Sequence, residues 1–485
     1  MTVRKAATWA MSAQYFSFVL QFVASLILAR YFISPTQLGV FSIAFAAVSL
    51  IAFLQDFGVT RYLCGEKDLG PDKLRTAFTV SLTISWAIAA LCVALAWPLA
   101  AFYENERLLP ITLVIAASYF MVPIAIVPQA LRQRDLDFRS SAMIDMGAAA
   151  ANAMVSLYLG WKGYGAMALA GGALAQQFAR ALIAQWRAGW VAPWPLSFAE
   201  PGRLFSFGGT NTVLVTCFLV SSRVPELLIG RMLGPAAVGL FARAGGLALQ
   251  LRVLLVGAVS GVFFPAFRKL RDNGEPLGPP YLRVVAAFTA IMWPALAGLA
   301  VLAEPTVHLL YGEKWMGSAS LLFWLALAQM CFVSAPMNAD LPILLDEKRE
   351  LIVRNVVDLV LALVLLALAV PYGLEAIAAS RLAHGLLWMA NFSSFLKRVV
   401  GYTWADWFSV QLRSLAVAGL AVLPALVFYR LWDGPADAGF LQILASAGCG
   451  VLLWLAGLAA LRHTAFTEIM AILAPLRKKL MPTAS

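Results

Sequence analysis

The sequence predicts an all-α polytopic membrane protein with about 14 transmembrane helices, arranged as two six-helix lobes in parallel duplication with two extra C-terminal helices. Three observations lead there. Of the 485 residues, 61% are hydrophobic and 13% charged, whereas a soluble domain carries roughly 25% charged residues. Apolar runs of about 20 residues, the length that crosses a ~30 Å hydrocarbon layer, recur along the whole chain. Lysine and arginine concentrate in every second connection between those runs.

The first seven runs fall at 7–32, 38–57, 77–102, 111–131, 142–159, 164–186 and 210–233. The remainder lie at 236–264, 282–302, 318–338, 351–370, 374–396, 412–431 and 439–461. Arg4 and Lys5 precede the first run. That run is longer than the apolar core of a signal peptide, so it is expected to stay as a span. Pro123, Pro128, Pro225, Pro294 and Pro336 interrupt the runs, and each permits a kink by removing a helix hydrogen bond. The five cysteines, Cys64, Cys92, Cys217, Cys331 and Cys449, lack the close spacing of a zinc or redox pair. Burial as small apolar side chains is expected for each.

A formal charge of +11 suits a nucleic-acid partner, but its distribution excludes one. With the N-terminus in the cytoplasm, 26 of the 36 Lys and Arg residues fall in cytoplasmic segments and six on the opposite side. The other four, Arg223, Arg243, Arg252 and Arg381, sit inside runs. An asymmetry kept through so many crossings follows the positive-inside rule, and one missed helix would scramble it. The chain is therefore expected in a bacterial inner (cytoplasmic) membrane with both termini cytoplasmic. Its connections are too short for a separate catalytic domain. No Gly-x-x-x-x-Gly-Lys-Ser/Thr phosphate loop occurs, which argues against direct ATP hydrolysis. Gly163-Tyr164-Gly165 matches a fragment of a dinucleotide fingerprint but follows no strand. The expectation is a protein that is not an enzyme, with no catalytic residues, metal ligands or cofactor.

A repeat organises the runs. The first exits through Ala29-Arg30-Tyr31-Phe32-Ile33-Ser34-Pro35-Thr36-Gln37-Leu38-Gly39-Val40-Phe41. The seventh exits through Ile229-Gly230-Arg231-Met232-Leu233-Gly234-Pro235-Ala236-Ala237-Val238-Gly239-Leu240-Phe241. Tyr164-Gly165-Ala166 and Tyr372-Gly373-Leu374 form a weaker pair. Six runs separate the members of each pair, so the halves share one orientation, as in transporters built from parallel repeats. The organisation expected is an N-terminal six-helix lobe at 1–190, a cytoplasmic linker at 191–203 and a C-terminal six-helix lobe at 204–400. Two additional helices follow at 401–462 and an amphipathic basic tail at 463–485. In that tail Phe466, Ile469, Ile472, Leu473 and Leu476 share helical spacing beside Arg477-Lys478-Lys479, the pattern of an interfacial helix.

The first-run exit resembles the LAR-x-L-x-P-x-x-x-G-x-F signature of lipid-linked oligosaccharide flippases, the polysaccharide-exporter branch of the multidrug/oligosaccharidyl-lipid/polysaccharide exporter superfamily. Asp56-Phe57-Gly58-Val59, the stretch from Gln129 to Phe138 and Phe205-Ser206-Phe207-Gly208 are similar to that family too. So are Pro235-Ala236-Ala237-Val238-Gly239-Leu240-Phe241 and Phe264-Pro265-Ala266-Phe267. The resemblance covers roughly 7–396. It implies two six-helix lobes around a central cavity, alternating access and export of an undecaprenyl-diphosphate-linked oligosaccharide. The partners it implies are that glycolipid, membrane lipids and the polysaccharide polymerase and export machinery.

Ionisable groups inside spans face a cavity or a partner by default. Arg223 and Arg243 lie about 14 Å and 10 Å from the outer ends of their spans at 1.5 Å per residue. Arg381 also descends from the outer face, Arg252 lies deeper, and Arg30 sits near the outer end of the first span. A guanidinium stays charged and offers a planar fork of donors matched to phosphate oxygens. These five arginines are the candidate diphosphate ligands. Each has a simpler alternative: Arg223 can pair with Glu226 one turn on, and Arg30 can snorkel to the interface. Asp145, Asp358, Glu226 and His384 are candidates for coupling or charge balance, against roles as caps, interface residues or a histidine satisfied by a neighbouring helix.

The sequence therefore predicts a flippase for exopolysaccharide, capsule or O-antigen synthesis. A multidrug cation exporter of the same superfamily is an alternative that calls for acidic cavity residues. A membrane-embedded glycan polymerase or ligase calls for a large outer loop. A scaffold of a polysaccharide assembly complex stays open.

Overall fold

The computed structural model describes residues 3–55, 59–66, 68–189, 191, 193–198, 209–256, 260–431 and 439–466. Among these, no strand occurs and nearly every residue is helical. α1 (Val3–Ile27) passes through a π-helical turn, Leu28–Phe32, to α2 (Pro35–Ile51). α3 (Val59–Gly65) and α4 (Pro71–Phe102) come next. The fourth apolar run is two helices, α5 (Leu108–Ser118) and α6 (Val122–Arg134). Pro123 has no N–H for a continuous helix and its ring would meet the carbonyl of Tyr119. α7 (Phe138–Trp161), α8 (Ala166–Ala188), α9 (Gly209–Leu233) and α10 (Pro235–Val256) follow. The chain continues through α11 (Ser260–Asp272), α12 (Gly278–Val301), α13 (Ala303–Tyr311), α14 (Ala319–Val333) and α15 (Asp340–Leu344). It ends in α16 (Lys348–Ala369), α17 (Leu374–Val400), α18 (Trp404–Leu431) and α19 (Phe440–Ala460).

Every predicted run overlaps a helix among the described residues, though the run at 318–338 outlasts its helix, which ends at Val333. Ten helical segments are long and apolar enough to cross a membrane, so this is a multi-pass membrane protein. The predicted runs outside that set fall on α2, which has 17 residues, and on α8, α10 and α17. The last three are long enough but more polar. They carry Gln176, Gln177 and Arg180 (α8), Arg243 and Arg252 (α10), and Arg381 and His384 (α17). Lipid does not tolerate such groups, so these helices turn a face towards protein or water. Exposed Trp97, Tyr158, Trp161, Tyr164 and Tyr372 cluster near helix ends, and Lys162 lies 4.7 Å over the Trp161 ring. Amphipathic rings at helix ends mark membrane interfaces.

The chain packs as two compact units, Met1–Ala242 and Arg243–Ser485, dividing inside α10. In the first, the Gln129–Phe138 motif acquires a structural explanation. Arg134 at the end of α6 donates to the Leu63 carbonyl at 2.8 Å, closing the C-terminal turn of α3. Asp137 caps α7 by accepting from the Ser140 backbone at 3.1 Å and the Ser140 hydroxyl at 2.6 Å.

In the second unit, a chain of hydrogen bonds fastens the two extra helices to α12. Ala465 N–H donates to His463 Nδ1 at 3.2 Å, which leaves Nε2 to carry the proton and donate to Ser414 Oγ at 3.1 Å. Ser414 in turn donates to Thr289 Oγ1 at 2.7 Å, and Thr289 donates to the Val285 carbonyl at 2.8 Å. The Trp454 indole adds a bond to the Ala290 carbonyl at 2.7 Å.

Cys92, Cys217 and Cys331 are buried as expected, whereas Cys64 and Cys449 are exposed. Cys449 falls on the face of α19 that carries exposed Leu441, Leu444, Leu452 and Leu453. That face is apolar because it meets lipid, so an apolar run did not require burial in protein. Asp56, Phe57 and Gly58, the segment Phe205-Ser206-Phe207-Gly208, most of the 191–203 linker and the tail beyond Phe466 lie outside the described residues.

Candidate functional site: arginines within the spans

In the first unit, Arg223 and Glu226 occupy one face of α9, one turn apart, with an N–O distance of 3.4 Å. The guanidinium also lies 5.0 Å over the Phe45 ring of α2. The carboxylate that could neutralise this arginine is therefore already against it. Asp145 of α7 is likewise 3.4 Å from Arg180 of α8. Arg30 lies exposed in the π-helical turn after α1, a position suited to snorkelling.

The second unit treats its arginines differently. Arg243 of α10 is held between two aromatic rings, 4.8 Å from the Tyr311 centroid and 5.0 Å from that of Trp315, and it hydrogen-bonds the Tyr311 side chain. Trp315 is fully buried and Tyr311 nearly so. Ring faces attract a cation without neutralising its charge. Arg252 lies nine residues further along the same helix, 2.5 turns or about 13 Å away and on the opposite face. One phosphate cannot meet both from one side of α10. Among the described residues, Arg252 makes no ion pair or hydrogen bond through its guanidinium.

Arg381 of α17 sits one turn before His384. Its field reaches Asp358 of α16, yet among the described residues it has no carboxylate at ion-pair distance. The reason lies in Asp358 itself. Its Oδ1 is 2.8 Å from His384 Nε2, so the nearest acid is engaged by the imidazole. His384 is 2% exposed, and Phe332 of α14 lies 5.5 Å from it between ring centroids. The structure thus brings Arg381, Asp358 and His384 together, and Arg223 with Glu226.

One polar cluster was not anticipated from the sequence. Arg354 of α16 donates to the Asn391 carbonyl at 3.0 Å, to Asn391 Oδ1 at 2.8 Å and to Glu350 at 3.0 Å. Arg398 closes on the second Glu350 oxygen. A cavity of about 490 Å³ opens beside it, lined by Glu347, Arg349, Glu350, Val353 and Arg354. Glu350 and Arg354 at i, i+4 were a readable signal for half of it; the reach to α17 was not. A second cavity, about 610 Å³ and almost wholly apolar, lies against Phe120, Met121, Leu174 and Phe178. Neither is lined by Arg223, Arg243, Arg252 or Arg381.

Residues 27–320 match the polysaccharide biosynthesis protein family. The chain belongs to that family. In this polysaccharide biosynthesis protein, the matched stretch takes in Arg30, Arg223, Arg243 and Arg252 and ends before Asp358, Arg381 and His384. Among curated proteins, the chain is 25% identical over 337 residues to the succinoglycan biosynthesis transport protein ExoT of Rhizobium meliloti, covering 68% of this chain and 66% of that one. It is 24% identical to the lipopolysaccharide biosynthesis protein WzxC of Escherichia coli, covering 64% and 63%. The teichuronic acid biosynthesis protein TuaB of Bacillus subtilis is 22% identical, covering 61% of each. The chain thus spans just under two thirds of the length of these three relatives. Its fold is similar to that of the lipid II flippase MurJ, whose structure was solved in an inward closed conformation, with a TM-score of 0.72 at 14% identity over 92% of this chain and 97% of that one.

Proposed function

We propose that this protein is a flippase carrying an undecaprenyl-diphosphate-linked oligosaccharide from the cytoplasmic to the periplasmic leaflet of the inner membrane by alternating access. The product serves exopolysaccharide, capsule or O-antigen synthesis. The observation that carries the reading is Arg381, a guanidinium inside a span whose nearest carboxylate is occupied by His384. A cation left without a counter-ion in a low-dielectric region is costly unless an anion arrives to pair with it. A diphosphate supplies that anion and matches the guanidinium fork. Arg243, stacked on Tyr311 and Trp315, adds a fixed positive charge. Arg252, on the other face of α10, is a cationic position at another depth.

The family and relatives named for transport and polysaccharide biosynthesis support the same reading. Translocation needs no covalent chemistry, which agrees with a protein that is not an enzyme. A multidrug cation exporter is disfavoured by the state of the in-span acids. Among the described residues, Glu226, Asp145 and Asp358 are engaged by Arg223, Arg180 and His384, whereas a cationic drug calls for an open carboxylate.

The test is reconstitution into liposomes with a fluorescent polyprenyl-diphosphate sugar on the inner leaflet. The protein should make the headgroup accessible to an external quencher, and Arg381→Gln should abolish this while inserting normally. Equal rates for both proteins would remove the reading.

A further inference from the structure

We propose that Asp358 and His384 form a proton-binding site whose occupancy is linked to an anion at Arg381, so that the headgroup binds together with a proton. This rests on the reading that Arg381 meets a diphosphate.

The geometry has three parts. His384 Nε2 and Asp358 Oδ1 are 2.8 Å apart, and the imidazole is 2% exposed. The other ring nitrogen, Nδ1, is buried and has no hydrogen-bond partner among the described residues. Arg381 lies one helical turn before His384 and within the field of the same carboxylate.

When the imidazole is neutral, Nε2–H donates to Asp358 and Nδ1 presents a bare lone pair. A proton added at Nδ1 makes an imidazolium, which a buried site tolerates only beside an anion. Asp358 carries one negative charge and stands between two potential cations. With Arg381 unliganded, its unpaired charge acts on the same region, and a second positive charge on His384 is disfavoured. A diphosphate at Arg381 takes over the guanidinium. The guanidinium's repulsion is then removed, and the imidazole beside Asp358 takes up a proton. Linkage makes the effect reciprocal: a proton at His384 tightens the anion by the factor with which the anion tightens the proton.

The surroundings offer few competing groups. On α16 the nearest other ionisable residue is Arg354, committed to Glu350 and Asn391. α14 contributes only Cys331, against which Gly385 packs, besides the Phe332 ring. α12 carries Tyr281 and Arg283 near its start. On α17 itself, Glu375 bonds the Trp324 indole at 3.4 Å, and Lys397 and Arg398 lie in its last turn.

The test is calorimetry on the full chain in nanodiscs with farnesyl diphosphate as the probe, in buffers of different ionisation enthalpy. The wild type should take up a proton on binding and bind about tenfold tighter near pH 5.5 than near pH 8, the change that one unit of linked titration gives. His384→Gln should lose the proton uptake beyond that of the diphosphate itself. Asp358→Asn, which preserves shape, should lose it as well, so the result does not hang on one variant folding. The chain has three histidines, so the His384 signal can also be followed directly by nitrogen NMR. Probe binding that needs Arg381 but shows the same proton uptake in wild type and both variants overturns the linkage and leaves the proposed function standing. A wild type that does not bind the probe at either pH overturns both.

Discussion

Gly39 and Gly239 meet backbone to backbone. A Cβ built on Gly39 would lie 1.6 Å from the Pro235 carbonyl oxygen, and one on Gly239 would lie 1.8 Å from the Pro35 carbonyl oxygen. Each would also crowd the other glycine's nitrogen, at 3.0 and 3.1 Å. The relation is reciprocal because both glycines occupy the same place in the repeated Pro-x-x-x-Gly element, four residues into α2 and α10. Only a residue without a side chain lets two helix starts cross so closely. Gly39→Ala should therefore destabilise the protein by about 1–3 kcal/mol through overpacking, and Gly239→Ala should do the same. The double variant should cost less than the sum, because the first methyl already separates the helices. Thermal midpoints in detergent for the three proteins check this.

The Arg243 cage separates packing from binding. Trp315 is fully buried, so Trp315→Ala should cost about 3–5 kcal/mol of stability. Tyr311→Phe keeps the ring and removes only the hydroxyl that bonds Arg243. It should leave the thermal midpoint nearly unchanged and weaken polyprenyl-diphosphate binding about fivefold, the scale of one lost hydrogen bond.

His463 gives an acid-sensitive attachment. Burial, with Arg413 as the second cause, holds its imidazole below the ordinary range. The unfolded chain then binds a proton that the folded chain resists. Stability is full above about pH 6.5 and falls as the pH drops below it. Protonation would also place a hydrogen on Nδ1, where Ala465 N–H now donates. The protection factors of the Ala465 and Phe466 amides against hydrogen exchange should fall on acidification, and His463→Gln should flatten that dependence.

Asp137 shows the opposite chemistry at the start of α7. Hydrogen bonds from the Ser140 side chain, the largest cause, keep its carboxyl below the usual range. Its contribution is present above the ordinary carboxylate range and is lost as the pH falls through the depressed value. Asp137→Ala should remove about 1 kcal/mol at neutral pH and little in strong acid, read from thermal midpoints across that range.

Much of this architecture was legible because a bilayer imposes a single length and polarity on every crossing. Each predicted run overlaps a helix, and Pro35 and Pro235 of the repeat open α2 and α10. Local pairs were legible too: Arg223 and Glu226 are one turn apart, which fixes their proximity once the segment is a helix. Contacts between helices were not. Asp358 and His384 are 26 residues apart, and no spacing rule joins them. The Tyr311 and Trp315 rings reach Arg243 from a short helix and turn that apolar length does not reveal. The short helices α3, α11, α13 and α15 were missed for the same reason, since they do not span the bilayer. The break at Pro123 was expected as a kink and is two helices.

The central claim is that guanidinium groups within the spans hold a diphosphate. Distance-dependent dephasing between the phosphorus of bound undecaprenyl diphosphate and the guanidinium nitrogens of nitrogen-15-labelled arginine, in membranes, tests it most directly. The account predicts strong dephasing in the wild type and its loss in the Arg243→Gln, Arg381→Gln double variant. Dephasing that persists unchanged in that variant, with the lipid still bound, would contradict it.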